Sequence, residues 1–152
     1  MTIALGSRVK AENEEIEGRV SQIIDYINGS RHYGVAFKGT GILDDGLRNI
    51  KLHEIDLEVI SEDGCVDTPV ADERFPLGTH VEVLPHGEFQ GIVDALIYSS
   101  SGCVEYEVVG FVHGVGIKRF ILDAEILVAI PEQDSVAVGS SGGSYSRDIA
   151  VR

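Results

Sequence analysis

A chain of 152 residues, 43% of them apolar, has material for one ordinary domain or two very small ones. No apolar run approaches the roughly 18 residues of a membrane helix, so no membrane partner is expected. The net charge is −13 and every segment of the chain is acidic, which disfavours a nucleic-acid partner: gripping a phosphate backbone takes clustered Lys and Arg. The only such cluster is Lys118-Arg119, with a scatter of Arg8, Lys10, Arg19, Arg31, Lys38, Arg48 and Lys51 in the first half. Eighteen Gly, one Met and no Trp suit a turn-rich β protein better than a helical one. The opening Met1 to Gly6 lacks a charged start and a long apolar region, so no secretory signal is expected and the location is cytoplasmic or virion. Cys65 and Cys103 make no disulfide framework and read as reduced thiols.

In chain order, the first strand is expected around Arg8 to Ala11, followed by the charged loop Glu12-Asn13-Glu14-Glu15. A long second strand covers Glu17 to Ile27. Asn28-Gly29-Ser30 then turns the chain, because Asn-Gly readily takes the positive φ of a hairpin turn. The third strand is His32 to Phe37, with Tyr33, Val35 and Phe37 on one face. Lys38 to Gly41 and Asp44-Asp45-Gly46 form a polar, Gly-rich excursion. A fourth strand follows at about Arg48 to Leu52. His53-Glu54-Ile55 reads as a helical turn before a last strand, Leu57 to Ile60. Ser61 to Pro76, with two Pro, several charges and no apolar periodicity, reads as an extended, solvated linker.

The second half repeats this order: His80 to Leu84, Phe89 to Tyr98, Val104 to Val109, Ile117 to Leu122 and Leu127 to Ile130. Asp123-Ala124-Glu125 takes the place of the helical turn. In the third of these strands Val104, Tyr106 and Val108 alternate with Glu105 and Glu107, the mark of a half-buried strand. Leu5-Gly6-Ser7-Arg8-Val9 matches Leu77-Gly78-Thr79-His80-Val81 at an offset of 72, and Gly29, Tyr33 and Val35 match Gly102, Tyr106 and Val108 at 73. The chain reads as one small module written twice, residues 1–60 and 77–130, with 61–76 between. The tail, residues 131–152, is Ser- and Gly-rich and should be flexible alone. Its end, Ile149-Ala150-Val151, has modest strand character.

Five short strands in some 55 residues, a Leu-Gly-x-x-Val opening, a Gly-x-Val in a long second strand and a helical turn before the last strand resemble the SH3-like barrels, more closely the KOW and Tudor types. The resemblance covers residues 5–60 and 77–130. It implies an all-β fold of two small five-stranded barrels in tandem with a flexible C-terminal tail. It also implies binding work on peptide tails, methylated side chains, RNA or neighbouring subunits. Tandem small β-barrels are similar in style to accessory and decoration proteins of bacteriophage particles. Fold alone does not fix function.

Gly-x-x-x-x-Gly-Lys and His-Glu-x-x-His are missing from the sequence, and its Gly-x-Ser-x-Gly match, Gly139 to Gly143, is part of the Ser- and Gly-rich tail, so no enzyme is expected. Glu105 and Glu107 share a strand face and could hold a cation, but a solvated face is the simpler reading. His32, His53, His80, His86 and His113 show no ligand pair at the close spacing of zinc sites, even with Cys65 or Cys103 added, so no metal and no cofactor is expected. The aromatics carry more information. Tyr26, Tyr33 and Phe37 have Tyr98, Tyr106 and Phe111 as apparent counterparts. In a Tudor-like barrel such residues can cage a methylated ammonium by cation–π attraction. Tyr33 and Tyr106 read as core, while Tyr26, Tyr98 and Phe111 are the binding candidates, Tyr98 the best placed for exposure. Ile149 and Val151 could add a strand to the open sheet edge of a neighbour. The expected partners are protein subunits, capsid or other virion proteins among them, or further copies of the chain. The alternative is a regulatory reader of a modified peptide or an RNA element.

Overall fold

The computed structural model describes residues 2–11, 17–38, 47–84 and 89–131. Ten strands run in chain order: β1 Arg8–Ala11, β2 Glu17–Tyr26, β3 Arg31–Lys38, β4 Leu47–His53, β5 Leu57–Ser61, β6 His80–Val83, β7 Phe89–Ser99, β8 Val104–Val112, β9 Gly116–Asp123 and β10 Leu127–Ala129. Single 3₁₀ turns, Glu54–Asp56 and Ala124–Ile126, precede β5 and β10. The fold is all-β among the described residues, and the strands form one curled antiparallel sheet.

Each half has the same order. In the first, β1 lies between β2 and β5, and β2, β3 and β4 follow one another. In the second, β6 lies between β7 and β10, and β7, β8 and β9 follow. The two halves are hydrogen-bonded to each other. β2 is long enough to serve two neighbours on one edge: its start pairs with β1 and its end, Gln22 to Tyr26, with β7. β7 divides its edge in the same way between β6 and β2.

The seam between the halves is built around a pseudo-two-fold axis. Ile24 pairs with Ile97, its own counterpart at the 73-residue spacing that also relates Tyr33 to Tyr106. The hydrogen bonds around the seam come in equivalent pairs. Ile27 N–H donates to the Asp94 carbonyl at 2.8 Å, and Ser100 N–H to the Ser21 carbonyl at 2.8 Å. Gly6 N–H reaches Val20 O and Gly78 N–H reaches Val93 O, both at 2.8 Å. Each long strand shifts register at the same place, after Val20 in β2 and after Val93 in β7. Such bulges bend and twist a strand.

Two apolar clusters lie on one side of the sheet. Ile3, Leu5, Val9, Val20, Ile23, Tyr33 and Val35 form the first. Phe75, Val81, Val93, Leu96, Tyr106, Val108 and Leu127 form the second. Tyr98 packs against both. Burying each of these side chains contributes about 1.5–3 kcal/mol. Phe75 corrects the expectation of a fully solvated linker. It is the counterpart of Ile3 and is buried against Tyr106, with ring centroids 5.8 Å apart. The stretch from Asp72 to Pro76 therefore packs with the second unit. The Asp72 N–H donates to the Tyr106 hydroxyl at 2.7 Å, as the Ile3 N–H donates to the Tyr33 hydroxyl at 3.2 Å.

Candidate functional site

Along a strand, side chains alternate between faces, so the register decides what the aromatics can do together. Ile23 pairs with Tyr98, which places Tyr98 on the core side. Tyr26 pairs with Ala95 and packs with Ile24, Ala95 and Ile97 on the opposite side. Tyr26 and Tyr98 cannot line one cage. They are not counterparts either: the constant spacing across both bulges makes Ser99 the counterpart of Tyr26 and Asp25 that of Tyr98. Phe111 likewise corresponds to Lys38, and Phe37 to Gly110. Matching by residue type alone pairs them wrongly.

Tyr98 is half-buried, not exposed. Burial and then the nearby Asp25 carboxylate push its phenol above the usual value. It lines a cleft of about 390 Å³ at the seam, together with Thr2, Ile23, Asp25, Arg31 and the linker residues Thr68 to Ala71. Arg31 ties two of the lining residues together. It donates to both Asp25 carboxylate oxygens, at 2.5 and 2.9 Å, and to the Thr2 hydroxyl at 3.0 Å. The Asp25 bond holds the Arg31 guanidinium firmly charged. With both charges matched, the cleft offers shape and neutral polarity.

The face opposite the cores is more distinctive. One line of paired residues crosses six strands: His53, His32, Ile24, Ile97, Glu105 and Asp123. Equivalent positions carry opposite chemistry, since His32 corresponds to Glu105 and His53 to Asp123. The His32 and His53 rings lie 3.9 Å apart, and Tyr26 meets His32 edge-on at 5.2 Å. Lys51 donates to the Tyr26 hydroxyl at 2.7 Å and sits over its ring, so the cation–π role of Tyr26 is filled from within. Burial, then His53 and Lys51, lower the pKa of His32, and its Nδ1 is buried without a hydrogen-bond partner.

No family model, curated protein or solved structure matches this chain.

Beside the line, the two units differ at one further set of equivalent positions. In the first, the Ser21 hydroxyl lies 3.2 Å from the Gly34 carbonyl and 3.3 Å from Asn49 Oδ1. In the second, Asp94, Glu107 and Arg119 stand there, with Arg119 Nη1 3.1 Å from each carboxylate. Burial and Asp94 push Glu107 upward against the pull of Arg119. Glu107 thus has its cation in Arg119, which accounts for one member of the Glu105/Glu107 pair. Among the described residues no three of His, Cys, Asp and Glu come together as metal ligands would. Cys65 and Cys103 are free and exposed, and Cys65 Sγ is 3.2 Å from Ser7 Oγ. Phe111 is 68% exposed near the tip of the β8–β9 hairpin, with Val115 and Ile117 also exposed. Asp44, Asp45, His86, Ile149 and Val151 lie outside the described residues.

His32 has a thermodynamic signature. A pKa lower in the folded than in the unfolded chain means the unfolded chain binds more protons, so stability rises with pH. The His32 contribution is complete above about pH 6.5, the unfolded value, and is lost as pH falls toward the folded value. The urea midpoint of the wild type should drop between pH 7.5 and pH 5. His32→Gln should flatten that part of the profile, and an unchanged slope would refute the assignment.

Proposed function

We propose that this is a non-enzymatic structural or assembly protein. Two SH3-like five-stranded barrels, residues 1–60 and 77–130, present rigid surfaces to larger protein subunits, with the C-terminal segment 131–152 as a docking arm. A virion accessory protein fits this description. The observation that supports it most is the apolar hairpin tip: Phe111 and Ile117 are directly paired across β8 and β9, and are 68% and 71% exposed. Contiguous exposed apolar side chains on a soluble surface mark sites of association. Their strand geometry is fixed by an eight-residue-pair ladder, so little ordering entropy stands against docking.

The test is Phe111→Ser with Ile117→Ser. Exposed substitutions leave stability within about 0.5 kcal/mol, while truncating contact anchors weakens association about tenfold or more. Capture of the native partner from the source particle or extract should fall by that factor with the unfolding curve unchanged. Undiminished capture would reject the tip as the contact, and intact incorporation after removal of residues 131–152 would reject the arm. The reader alternative loses its main support because Tyr26 and Tyr98 point to opposite sides of the sheet.

A further inference from the structure

The line across the outer face is self-complementary. Its histidine end and its carboxylate end lie equally many strands from the central Ile24–Ile97 pair. With strands about 4.8 Å apart, turning a second sheet over about an axis in the plane lays each end on the opposite end of its mate. The same contact then forms twice, as a closed two-fold interface requires. We propose that the outer face binds a second copy of this chain, with His32, His53 and Lys51 of each copy facing Glu105 and Asp123 of the other. His53, Lys51 and Asp123 are exposed, while Ile24 and Ile97 are already buried within the chain. Charge therefore drives the pairing and apolar area contributes little at its centre. A foreign protein would need the reverse order of charge along one line at the same spacing, and a second copy has it by construction.

The net charge of −13 opposes this association. Screening decides the balance. At about 0.1 M salt the Debye length is about 10 Å, so the far sides of two chains no longer repel while ions in contact still attract. At about 1 M it shrinks to about 3 Å and the contacts weaken too. Association should thus peak at intermediate salt. Protonation of His32 strengthens it. The groups facing His32 are the His53 ring and Lys51 on β4 and the Tyr26 ring on β2. Glu105 and Asp123 continue the row across the seam.

Sedimentation equilibrium of the full chain tests this. From about 1 µM to about 1 mM protein, a monomer–dimer equilibrium is expected at pH 6 and about 0.1 M salt, weaker at pH 8 and absent at about 1 M salt. Glu105→Lys with Asp123→Lys should be monomeric, and so should Lys51→Glu with His53→Glu. An equimolar mixture of the two variants should pair. Circular dichroism of each variant establishes that it is folded. A wild type that stays monomeric throughout overturns the proposal and leaves the line to another kind of partner. Variants that dimerise as the wild type does, or folded variants that fail to pair with one another, overturn it as well. The hairpin tip is untouched by these changes, so the assembly reading stands or falls separately.

Discussion

Tyr106→Ala is expected to destabilise the protein by about 3–5 kcal/mol, the cost of deleting a fully buried aromatic ring. Tyr106 is 1% exposed and sits at the middle of the second core, edge-on to Phe75. Its hydroxyl also accepts the Asp72 N–H at 2.7 Å. Tyr106→Phe separates these two roles. It keeps the ring and removes one hydrogen bond, which is worth about 1 kcal/mol net. The phenylalanine variant should therefore keep most of its stability while hydrogen exchange at the Asp72 amide accelerates. Urea unfolding of the three proteins checks the first part. If phenylalanine costs as much as alanine, the hydrogen bond outweighs the packing and the core argument fails. Tyr33 holds Ile3 in the same manner and should behave alike.

Gly6→Ala should cost about 3 kcal/mol, the sum of two separate causes. Gly6 has φ +86°, where a side chain costs about 1–2 kcal/mol. A Cβ there would also collide with the Gly64 carbonyl oxygen, and forced overpacking typically costs about 1–3 kcal/mol. Gly29 is the control. Its φ is +89°, and a Cβ there meets nothing within 4 Å, so Gly29→Ala should lose only the backbone share, about 1–2 kcal/mol. The close approach at Gly6 has a purpose. Arg19 Nη1 donates to the Gly6 carbonyl at 2.9 Å and the Asp63 carbonyl at 2.7 Å, tying the start of the chain to the segment after β5. Equal losses at the two glycines would show that this junction yields freely.

Strand positions were legible because alternation in Val104 to Val108 and the Asn28-Gly29 turn are local signals. The 3₁₀ turns fell within a residue or two of expectation for the same reason. The pairing of β2 with β7 was not legible. Both strands looked merely long, and their excess length was the signal that each served two neighbours on one edge. Phe75 was hidden among charges and prolines, although its distance from Ile3 equals that of Leu77 from Leu5. The outer line was hidden for a different reason. His32, His53, Glu105 and Asp123 are far apart in sequence and acquire meaning only once the register sets them in one row.

The Ile24–Ile97 contact has one more implication. A residue on a true symmetry axis between separate identical chains must be compatible with itself, and its surroundings must change in step. Here the two sides share a covalent tether, so their encounter is independent of dilution. The two sides are then free to differ, as imidazole does from carboxylate.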